Sequence, residues 1–345
     1  MSVLLLDDDA VRAHLDAATA VRAVRAALLS AHHDDLAAPT PTTSRSSARS
    51  ASPAPRSRSP RRSARRCRAE GRRGVRRAAP GGRKGRAGRV PSAVRSVAMD
   101  DEDGYFGKSV AATYDESSAE MFAADVVGPA VEVLARLAGG GRALELGIGT
   151  GRIALPLAGR GVPVHGIDLS RAMVDRLRAK PGGGDIGVTL GDFATTRVDG
   201  TFSVAYLVFN TLMNLTSQQA QVDCFRNVAA HLAPGGSFVV EVMVPELRKL
   251  PPGQTAVPFH VSPTRWAFDV YDVATQALSS HYFDAVDGHG SHESIPFRYV
   301  WPAELDLMAQ LAGLRLRERW AGWAGEPFTS ESHRHVSIWE KPAGG

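Results

Sequence analysis

A glycine-rich turn separates a buried strand from a helix near the middle of this 345-residue chain. The predicted strand covers residues 142–146, and Gly147, Gly149 and Gly151 follow it directly. Glycine adopts positive φ easily and lets a ligand approach the backbone, and the first N–H groups of a helix have no partner inside that helix. The turn therefore predicts an α/β fold that binds a ligand at the carboxyl ends of parallel strands.

Strand and helix patterns alternate along the chain after this turn. Further strands are predicted at residues 162–167, 186–190, 202–208, 237–244, 314–320 and 335–339. Helices are predicted at residues 152–158, 170–180 (with Ser170 as N-cap) and 302–312. One more helix is predicted to start in a capping box of Thr216 and Gln219 and to end at Pro234-Gly235-Gly236. The alternation predicts a seven-stranded α/β sheet with helices on both faces.

Residues 255–300 interrupt this alternation. The segment is rich in β-branched and aromatic residues, among them Trp266, Phe268 and Tyr271. Such a composition favours strands over helices. We therefore predict an antiparallel β region that is inserted after the fifth strand of the sheet and covers the substrate.

The net charge of +5 is distributed unevenly. Residues 40–98 contain 18 Lys or Arg and one acid, Glu70, a charge of +17 that leaves −12 for the rest of the chain. This segment has no aromatic residue, so we predict that it is disordered, between a short helical segment at 1–39 and a folded domain at 99–345. Three interpretations are open: a basic arm for nucleic acid, a linker, or a segment with no specific role. Under the third interpretation, the working protein starts near Met99.

Three further features concern location and metals. The chain has no run of about 18 apolar residues, which a membrane-spanning helix needs. Its N-terminus becomes acidic at Asp7-Asp8-Asp9, unlike the basic start of a signal peptide. The two cysteines, Cys67 and Cys224, lack the spacing of metal ligands. We expect a cytoplasmic protein that binds no metal.

The turn carries a more specific pattern, Glu145-x-Gly147-x-Gly149-Thr150-Gly151, followed by Arg152. A dinucleotide-binding turn has glycine where Arg152 stands, which argues against an NAD-dependent enzyme. Asp168 ends the second strand, where a carboxylate can accept both hydroxyls of a ribose. From about residue 105 to 342, the sequence resembles the class I, Rossmann-like S-adenosylmethionine-dependent methyltransferases of the small-molecule type. The resemblance implies S-adenosyl-L-methionine as the cofactor.

The same resemblance implies a set of cofactor-binding residues. In the family, an acid after the third strand takes the adenine amino group beside an apolar residue, which matches Asp192 and Phe193. The loop after the fourth strand closes over the methionine moiety, and an aromatic lid precedes the fold, where Tyr105 and Tyr114 lie. The implied cofactor residues are Tyr114, Glu145, Gly147, Gly149, Gly151, Asp168, Leu169, Met173, Asp192, Phe193, Phe209 and Asn210.

A second resemblance concerns the start of the chain. Val11, Leu15, Ala18 and Val21 recur at helical spacing within residues 1–39. This segment resembles the N-terminal segment of the ornithine cyclodeaminase/mu-crystallin family, but nothing like that family's nucleotide-binding domain follows.

The acceptor is less constrained than the cofactor. The chain lacks the motifs of DNA methyltransferases: Phe209-Asn210-Thr211-Leu212 stands where amino-methyltransferases have a Pro-Pro-aromatic motif, and Cys224 does not follow a proline. The acidic remainder of the chain disfavours a polyanion. We predict methyl transfer to nitrogen or oxygen of a small molecule, as in secondary metabolism. The alternative is a nucleic-acid-binding or RNA-modifying protein that uses residues 40–98.

Methyl transfer needs alignment more than acid–base groups, so the remaining candidates are open. His260 or His281 is a candidate general base, and Tyr299 is a third catalytic candidate. Asn214, Arg265 and Arg298 are candidates for substrate binding, Arg298 as a clamp on a carboxylate.

Overall fold

The computed structural model describes residues 104–286 and 289–343. The predictions for residues 1–39 and 40–98 lie outside the described residues. In chain order the strands are β1 (Ala143–Leu146), β2 (Val164–Asp168), β3 (Gly187–Leu190), β4 (Phe202–Leu207), β5 (Leu232–Met243), β6 (Ala256–Val261), β7 (Arg265–Asp272), β8 (Ala277–Val286), β9 (His289–Arg298), β10 (Arg315–Trp320) and β11 (Arg334–Glu340).

Six α-helices accompany these strands in the described part of the chain. They are α1 (Lys108–Ser117), α2 (Ala124–Ala138), α3 (Ala154–Gly159), α4 (Arg171–Arg178), α5 (Gln218–His231) and α6 (Pro302–Leu311). None of them is both long enough and apolar enough to cross a lipid bilayer.

Seven strands form the main sheet in the spatial order β10-β11-β5-β4-β1-β2-β3. Strand β11 runs antiparallel to its neighbours β10 and β5, and the other neighbouring pairs from β5 to β3 are parallel. The order reverses at β1 and β4, so the loops after these two strands leave a crevice between them. The seven-stranded α/β sheet predicted from the sequence is confirmed.

Two apolar clusters lie on opposite faces of this sheet. Successive residues of β5 show the division, because Phe238 belongs to one cluster and Val239 to the other. Helices α5 and α6 add Phe225 and Leu305 to the first cluster, and α2 adds Leu134 to the second. Helices therefore cover both faces of the sheet. Their packing holds β1 and β4 in place beneath the crevice.

The inserted β region forms a separate sheet of four antiparallel strands in the order β6-β7-β8-β9. It follows β5 and returns the chain to α6, as the composition of residues 255–300 predicts. Strand β9 packs against the short 3-10 turn Thr211–Asn214 that follows β4. The insert therefore lies beside the loop at the end of β4.

Several boundaries differ from the prediction at one helix. Ser217, not Thr216, is the N-cap of α5, because its Oγ accepts the N–H of Ala220 at 3.1 Å. The helix ends at His231, and β5 already includes Pro234-Gly235-Gly236, which we predicted as the helix stop. The Gly235 N–H donates to the carbonyl of Lys341, so this turn is held by pairing with the C-terminal segment. At α4 the predicted N-cap is confirmed, with Ser170 Oγ accepting the Met173 N–H at 3.1 Å.

Candidate active site

The glycine turn after β1 has the backbone shape that the sequence predicts. Gly147, Gly149 and Gly151 have φ values of +70°, +53° and +84°. A Cβ at Gly147 would lie 2.6 Å from Cγ2 of Thr211, and one at Gly151 would collide with Leu177. A side chain at Gly147 would enter the cleft, and one at Gly151 would disturb the packing of the turn against Leu155 and Leu177. At Gly147 the turn therefore offers bare backbone to a ligand.

Asp168 at the end of β2 closes one side of this cradle. Its Oδ2 accepts the Gly149 N–H at 2.6 Å and its Oδ1 accepts the Ser170 N–H at 2.8 Å. The carboxylate is buried, and it lies at the N-terminus of α4, where the helix dipole favours negative charge. The neighbouring Leu169 is 52% exposed, an apolar surface at the mouth of the cleft.

Glu145 forms the floor of the cleft. It lies within β1, is 3% exposed, and accepts a hydrogen bond from the Tyr206 hydroxyl at 3.0 Å. Burial raises the pKa of Glu145 to about 8, although Tyr206 and Arg152 favour the ionised form. The raised pKa favours the neutral form of this carboxyl.

The loop after β4 forms the opposite wall. Phe209 and Asn210 both have positive φ, +55° and +62°, which is unusual for residues with side chains. Asn210 Oδ1 accepts the Met243 N–H at 2.7 Å, and the Phe209 N–H donates to Glu241 Oε2 at 3.0 Å. These bonds to β5 hold the Phe209 ring over the cleft, and this ring is 40% exposed.

Arg152 stands where a dinucleotide-binding turn would have glycine. Its guanidinium carbon lies 5.0 Å from the centre of the Phe209 ring, and it donates to the carbonyl of Met121 at 3.2 Å. Arg152 thereby narrows the cleft between the turn and the β4 loop. The cleft has a cavity volume of about 50 Å³ and opens to solvent. Its lining residues are Tyr114, Glu145, Gly147, Ile148, Gly149, Thr150, Arg152, Ile153, Val208, Phe209 and Thr211.

The segment before α1 joins the cleft to the inserted sheet. The Phe106 carbonyl accepts the Ser170 hydroxyl at 2.6 Å, and the Phe106 ring packs edge-on against Tyr114, 6.2 Å between ring centres. Tyr105 hydrogen-bonds to Glu293 on β9, and burial with this carboxylate nearby raises the pKa of Tyr105. Residues 104–106 therefore lie across the mouth of the cleft as an aromatic cover.

The two residues predicted to hold adenine lie after β3. Asp192 is exposed, and its Oδ1 accepts the Ala194 N–H at 2.8 Å. Phe193 is buried, with its ring edge 3.9 Å from the position of a Cβ at Gly147. Met173 from α4 lies 3.5 Å from the corresponding position at Gly149. Phe193 and Met173 therefore border the glycine turn, together with Asp168.

The three catalytic candidates from the insert are not brought together. His260 is exposed on the edge strand β6, and Tyr299 is 1% exposed and packs on Tyr271. His281 lies on β8 with its Nδ1 3.2 Å from Nε2 of His292. Side chains alternate along a strand, so His281 and its neighbour Tyr282 point to opposite faces.

The two faces of the inserted sheet have different surroundings. Tyr282 pairs with Glu293 across β8 and β9, and Glu293 bonds Tyr105 of the aromatic cover. His281 stacks instead on Phe268, on the opposite face. The geometry therefore gives no support to His281 as a base at the cleft.

Arg298 does not occupy the position that a substrate clamp needs. It is 4% exposed, and its guanidinium donates to Gln221 at 2.6 Å, Glu304 at 2.7 Å and Gln276 at 3.0 Å. These bonds tie the end of β9 to α5 and α6. The guanidinium thus forms its hydrogen bonds within the fold, and no sequence pattern indicates its three partners.

The other two substrate candidates lie nearer the cover. Arg265 is exposed, pairs with Asp284 at 3.6 Å and lies over the ring of Tyr282, on the face that meets Tyr105. Asn214 is half-buried at the end of the turn after Asn210.

Sequence reasoning missed two charged residues that touch the glycine turn. Asp115 accepts the Thr150 hydroxyl at 2.6 Å, and Lys180 donates to the Thr150 carbonyl at 2.8 Å. They come from α1 and from the residues after α4. Neither helix carries a motif that marks these positions, although Asp115 directly follows the predicted Tyr114.

Comparison with known proteins places this geometry in a family. Residues 143–236 match the model of the methyltransferase domain. The structure of the CcbJ methyltransferase from Streptomyces caelestis is 37% identical, with a TM-score of 0.62, over 70% of this chain and 100% of that chain.

Two further proteins are more distant. The cypemycin N-terminal methyltransferase of a Streptomyces species is 28% identical over 240 residues, which cover 66% of this chain and 97% of that protein. An S-adenosylmethionine-dependent methyltransferase from Clostridium acetobutylicum, 14% identical, shares the fold with a TM-score of 0.55 over 67% of this chain and 98% of its own. With the glycine cradle, Asp168 and the strand order in place, the chain belongs to the class I S-adenosylmethionine-dependent methyltransferases and uses S-adenosylmethionine as its cofactor.

Proposed function

We propose that the protein transfers the methyl group of S-adenosylmethionine to a nitrogen or oxygen atom of a small molecule, in secondary metabolism. The observation that carries the proposal is the cleft beside β1 and β4, which an aromatic segment covers and whose β4 loop packs against the four-stranded insert. Nitrogen is the favoured acceptor, because the cypemycin relative is named for transfer to an N-terminus.

In this proposal the glycine turn and its neighbours hold the cofactor. Asp168 accepts the ribose hydroxyls while it keeps its bonds to Gly149 and Ser170. Asp192 takes the adenine amino group, and Leu169 covers the base. Glu145 lies below the methionine end, where it becomes ionised as a positive ammonium group approaches. Bound there, the cofactor supplies a methyl group on a positively charged sulfur, ready for displacement.

The chain's own contribution to the reaction is alignment and exclusion of water. The rings of Tyr114 and Phe209 line the cleft, and the Phe106 ring packs against Tyr114, so these side chains would exclude water from a bound methyl donor. The loop bonds of Asn210 and Phe209 to β5 fix the outer ring. A neutral amine needs no base to attack, because it can lose its proton after the new bond forms.

The acceptor enters between this cleft and the inner face of the inserted sheet. Tyr282, Glu293 and Arg265 project from that face beside Tyr105. Together with Tyr105, these three residues offer one carboxylate, one guanidinium and two phenols to a modest, partly apolar molecule. Strand β9 packs on the turn that ends in Asn214, so the same insert reaches the β4 loop.

The experiment is a methyl-transfer assay with paired acceptors. The protein is incubated with S-adenosylmethionine and matched amines and alcohols of similar shape, and S-adenosylhomocysteine formation is measured. Mass spectrometry then locates the added methyl group. We expect turnover with small amines and none with polynucleotides. Methylation of RNA, with all small acceptors inert, would overturn the proposal.

A further inference from the structure

Three segments of the chain meet behind the glycine turn at one ion pair. Asp115, in the last turns of α1, lies 2.6 Å from Lys180, which follows α4. Both side chains also hold Thr150 of the glycine turn: Asp115 accepts its hydroxyl at 2.6 Å, and Lys180 donates to its carbonyl at 2.8 Å. The ammonium of Lys180 further lies 5.1 Å from the ring centre of Phe122.

We call the ion pair of Asp115 and Lys180, with its two bonds to Thr150, the brace. Thr150 is the position at which it has most effect on the shape of the glycine turn. It stands between Gly149 and Gly151, two glycines with positive φ, a backbone region that glycine enters without steric cost. Fixing both the hydroxyl and the carbonyl of Thr150 sets the orientation of the peptide groups on either side. The Thr150 carbonyl shares its peptide group with the Gly151 N–H, which donates to the Ile148 carbonyl at 3.0 Å. Gly149, the residue before Thr150, donates its own N–H to Asp168.

The brace is protected enough to be effective. Thr150 is 2% exposed, and the side chains of Asp115 and Lys180 are 22% and 25% exposed. Hydrogen bonds from Lys180 and Thr150 outweigh burial and hold the pKa of Asp115 below its usual value. A short bond between a hydroxyl and an ionised carboxylate is stronger than one between neutral groups.

Asp115 also follows Tyr114 directly, and Tyr114 lines the cleft. Anchoring Asp115 to the glycine turn therefore places the Tyr114 ring as well. Neither Asp115 nor Lys180 is among the described residues that line the cleft, so any effect on the cofactor must act through Thr150 and Tyr114.

We propose that Asp115 and Lys180 are positioning residues for cofactor binding: their ion pair holds Thr150, and with it the glycine turn, in the shape that accepts S-adenosylmethionine. The inference rests on the cofactor, which family membership establishes, and not on the identity of the acceptor. It is tested with S-adenosylhomocysteine alone.

The experiment compares Asp115→Asn, Lys180→Met and the double variant of the full chain. Titration calorimetry with S-adenosylhomocysteine should give a Kd about tenfold higher for each single variant, as expected for loss of a charged hydrogen bond. The double variant should lose no more than either single change, because the two residues act as one unit. With any accepted substrate, KM for S-adenosylmethionine should rise while kcat at saturation stays within about twofold.

Glu116→Gln is the matched control. Glu116 neighbours Asp115 in α1. Its change to Gln removes the same charge and breaks an exposed pair with Arg176 of α4, 3.5 Å away, which does not involve Thr150. Its Kd should stay within about twofold of the wild type, as for other surface ion pairs.

The hydroxyl route is tested separately, which keeps the proposal falsifiable if Asp115→Asn does not fold. Thr150→Ser retains the bond to Asp115 and should keep the affinity, whereas Thr150→Val should lose it. Unchanged affinity in Lys180→Met and Thr150→Val, or an equal loss in Glu116→Gln, would overturn the proposal. A lower melting temperature with unchanged Kd would do the same, since it would indicate a brace for the fold only.

Discussion

Asp168 holds two backbone N–H groups that belong to different elements, the glycine turn and the start of α4. Asp168→Ala removes both bonds and the charge that is assigned to the ribose. We expect a loss of affinity for S-adenosylhomocysteine of at least about tenfold. Calorimetry checks it, with the exposed Asp185→Ala as control. Equal affinity in the wild type and Asp168→Ala would refute the ribose assignment.

Glu145 predicts a specific dependence of stability on pH. Its pKa rises from 4.5 to about 8 on folding because the side chain is buried. A group whose pKa rises on folding stabilises the protein fully below its unfolded pKa, and this contribution is lost as the pH rises through about 8. The melting temperature of the wild type should therefore fall more between about pH 6 and about pH 9 than that of Glu145→Gln.

The control for this measurement is Glu132→Gln, an exposed change on α2 that should leave the wild-type slope intact. Parallel curves for the wild type and Glu145→Gln would contradict the assignment of a neutral carboxyl under the cleft.

Sequence reasoning works for residues whose role is local and fails for those defined by distant contacts. Gly147 and Asp168 could be predicted because neighbouring residues in the sequence determine a turn conformation and the end of a strand. Asp115 could not, because its partners Thr150 and Lys180 lie 35 and 65 positions away. His281 is a candidate base by residue type, but the side of β8 on which it lies depends on the strand register, which a shift of one residue reverses.

At the scale of elements, Arg298 joins the inserted sheet to α5 and α6. Removing one partner of a buried charged network costs about 3–5 kcal/mol, because the remaining charge keeps its desolvation without compensation. Arg298→Met should therefore lower the free energy of unfolding by about that amount and leave the affinity for S-adenosylhomocysteine unchanged. Urea denaturation measures the first effect and calorimetry the second.

Arg317→Met is a suitable comparison, since Arg317 forms exposed pairs with Glu318 and Glu340 and should cost about 1 kcal/mol or less. If Arg298→Met unfolds like the wild type but raises KM for the acceptor, the clamp role predicted from the sequence would be restored.

The elements themselves were largely predictable, because alternating apolar patterns are dictated by burial on two faces of a sheet. The errors lie where local signals compete. Thr216 and Ser217 both have the hydroxyl that an N-cap needs, and only the backbone shape selects Ser217. Pro234-Gly235-Gly236 resembles a helix stop, yet the chain turns earlier at His231, because Leu232 already pairs with Phe202 of β4.

At the scale of the whole molecule, the described contacts of the cofactor cleft come from residues after 103. A chain that begins at Met99 should therefore bind S-adenosylhomocysteine within about twofold of the full chain. Calorimetry on both chains makes the comparison, and loss of methyl transfer in the shorter chain would assign residues 1–98 a part in the reaction.

The basic segment 40–98 has a separate test. If it is an arm for nucleic acid, the full chain binds duplex RNA with an affinity that falls steeply with salt, and the chain from Met99 does not. If the two chains have the same affinity for RNA and this affinity does not depend on salt, the segment is a linker or has no role.

The left-handed pair Phe209 and Asn210 affects more than the loop that contains it. Each residue in this backbone region costs about 1–3 kcal/mol, against a total stability of about 5–15 kcal/mol for a typical domain. Glycine at position 209 would relax the strain there, but it would remove the ring above the cleft, whereas glycine at position 210 would also remove the acceptor of the Met243 N–H. Selection for thermal stability alone would therefore favour loss of the Phe209 ring and of activity. A selection for more stable variants must also select for turnover.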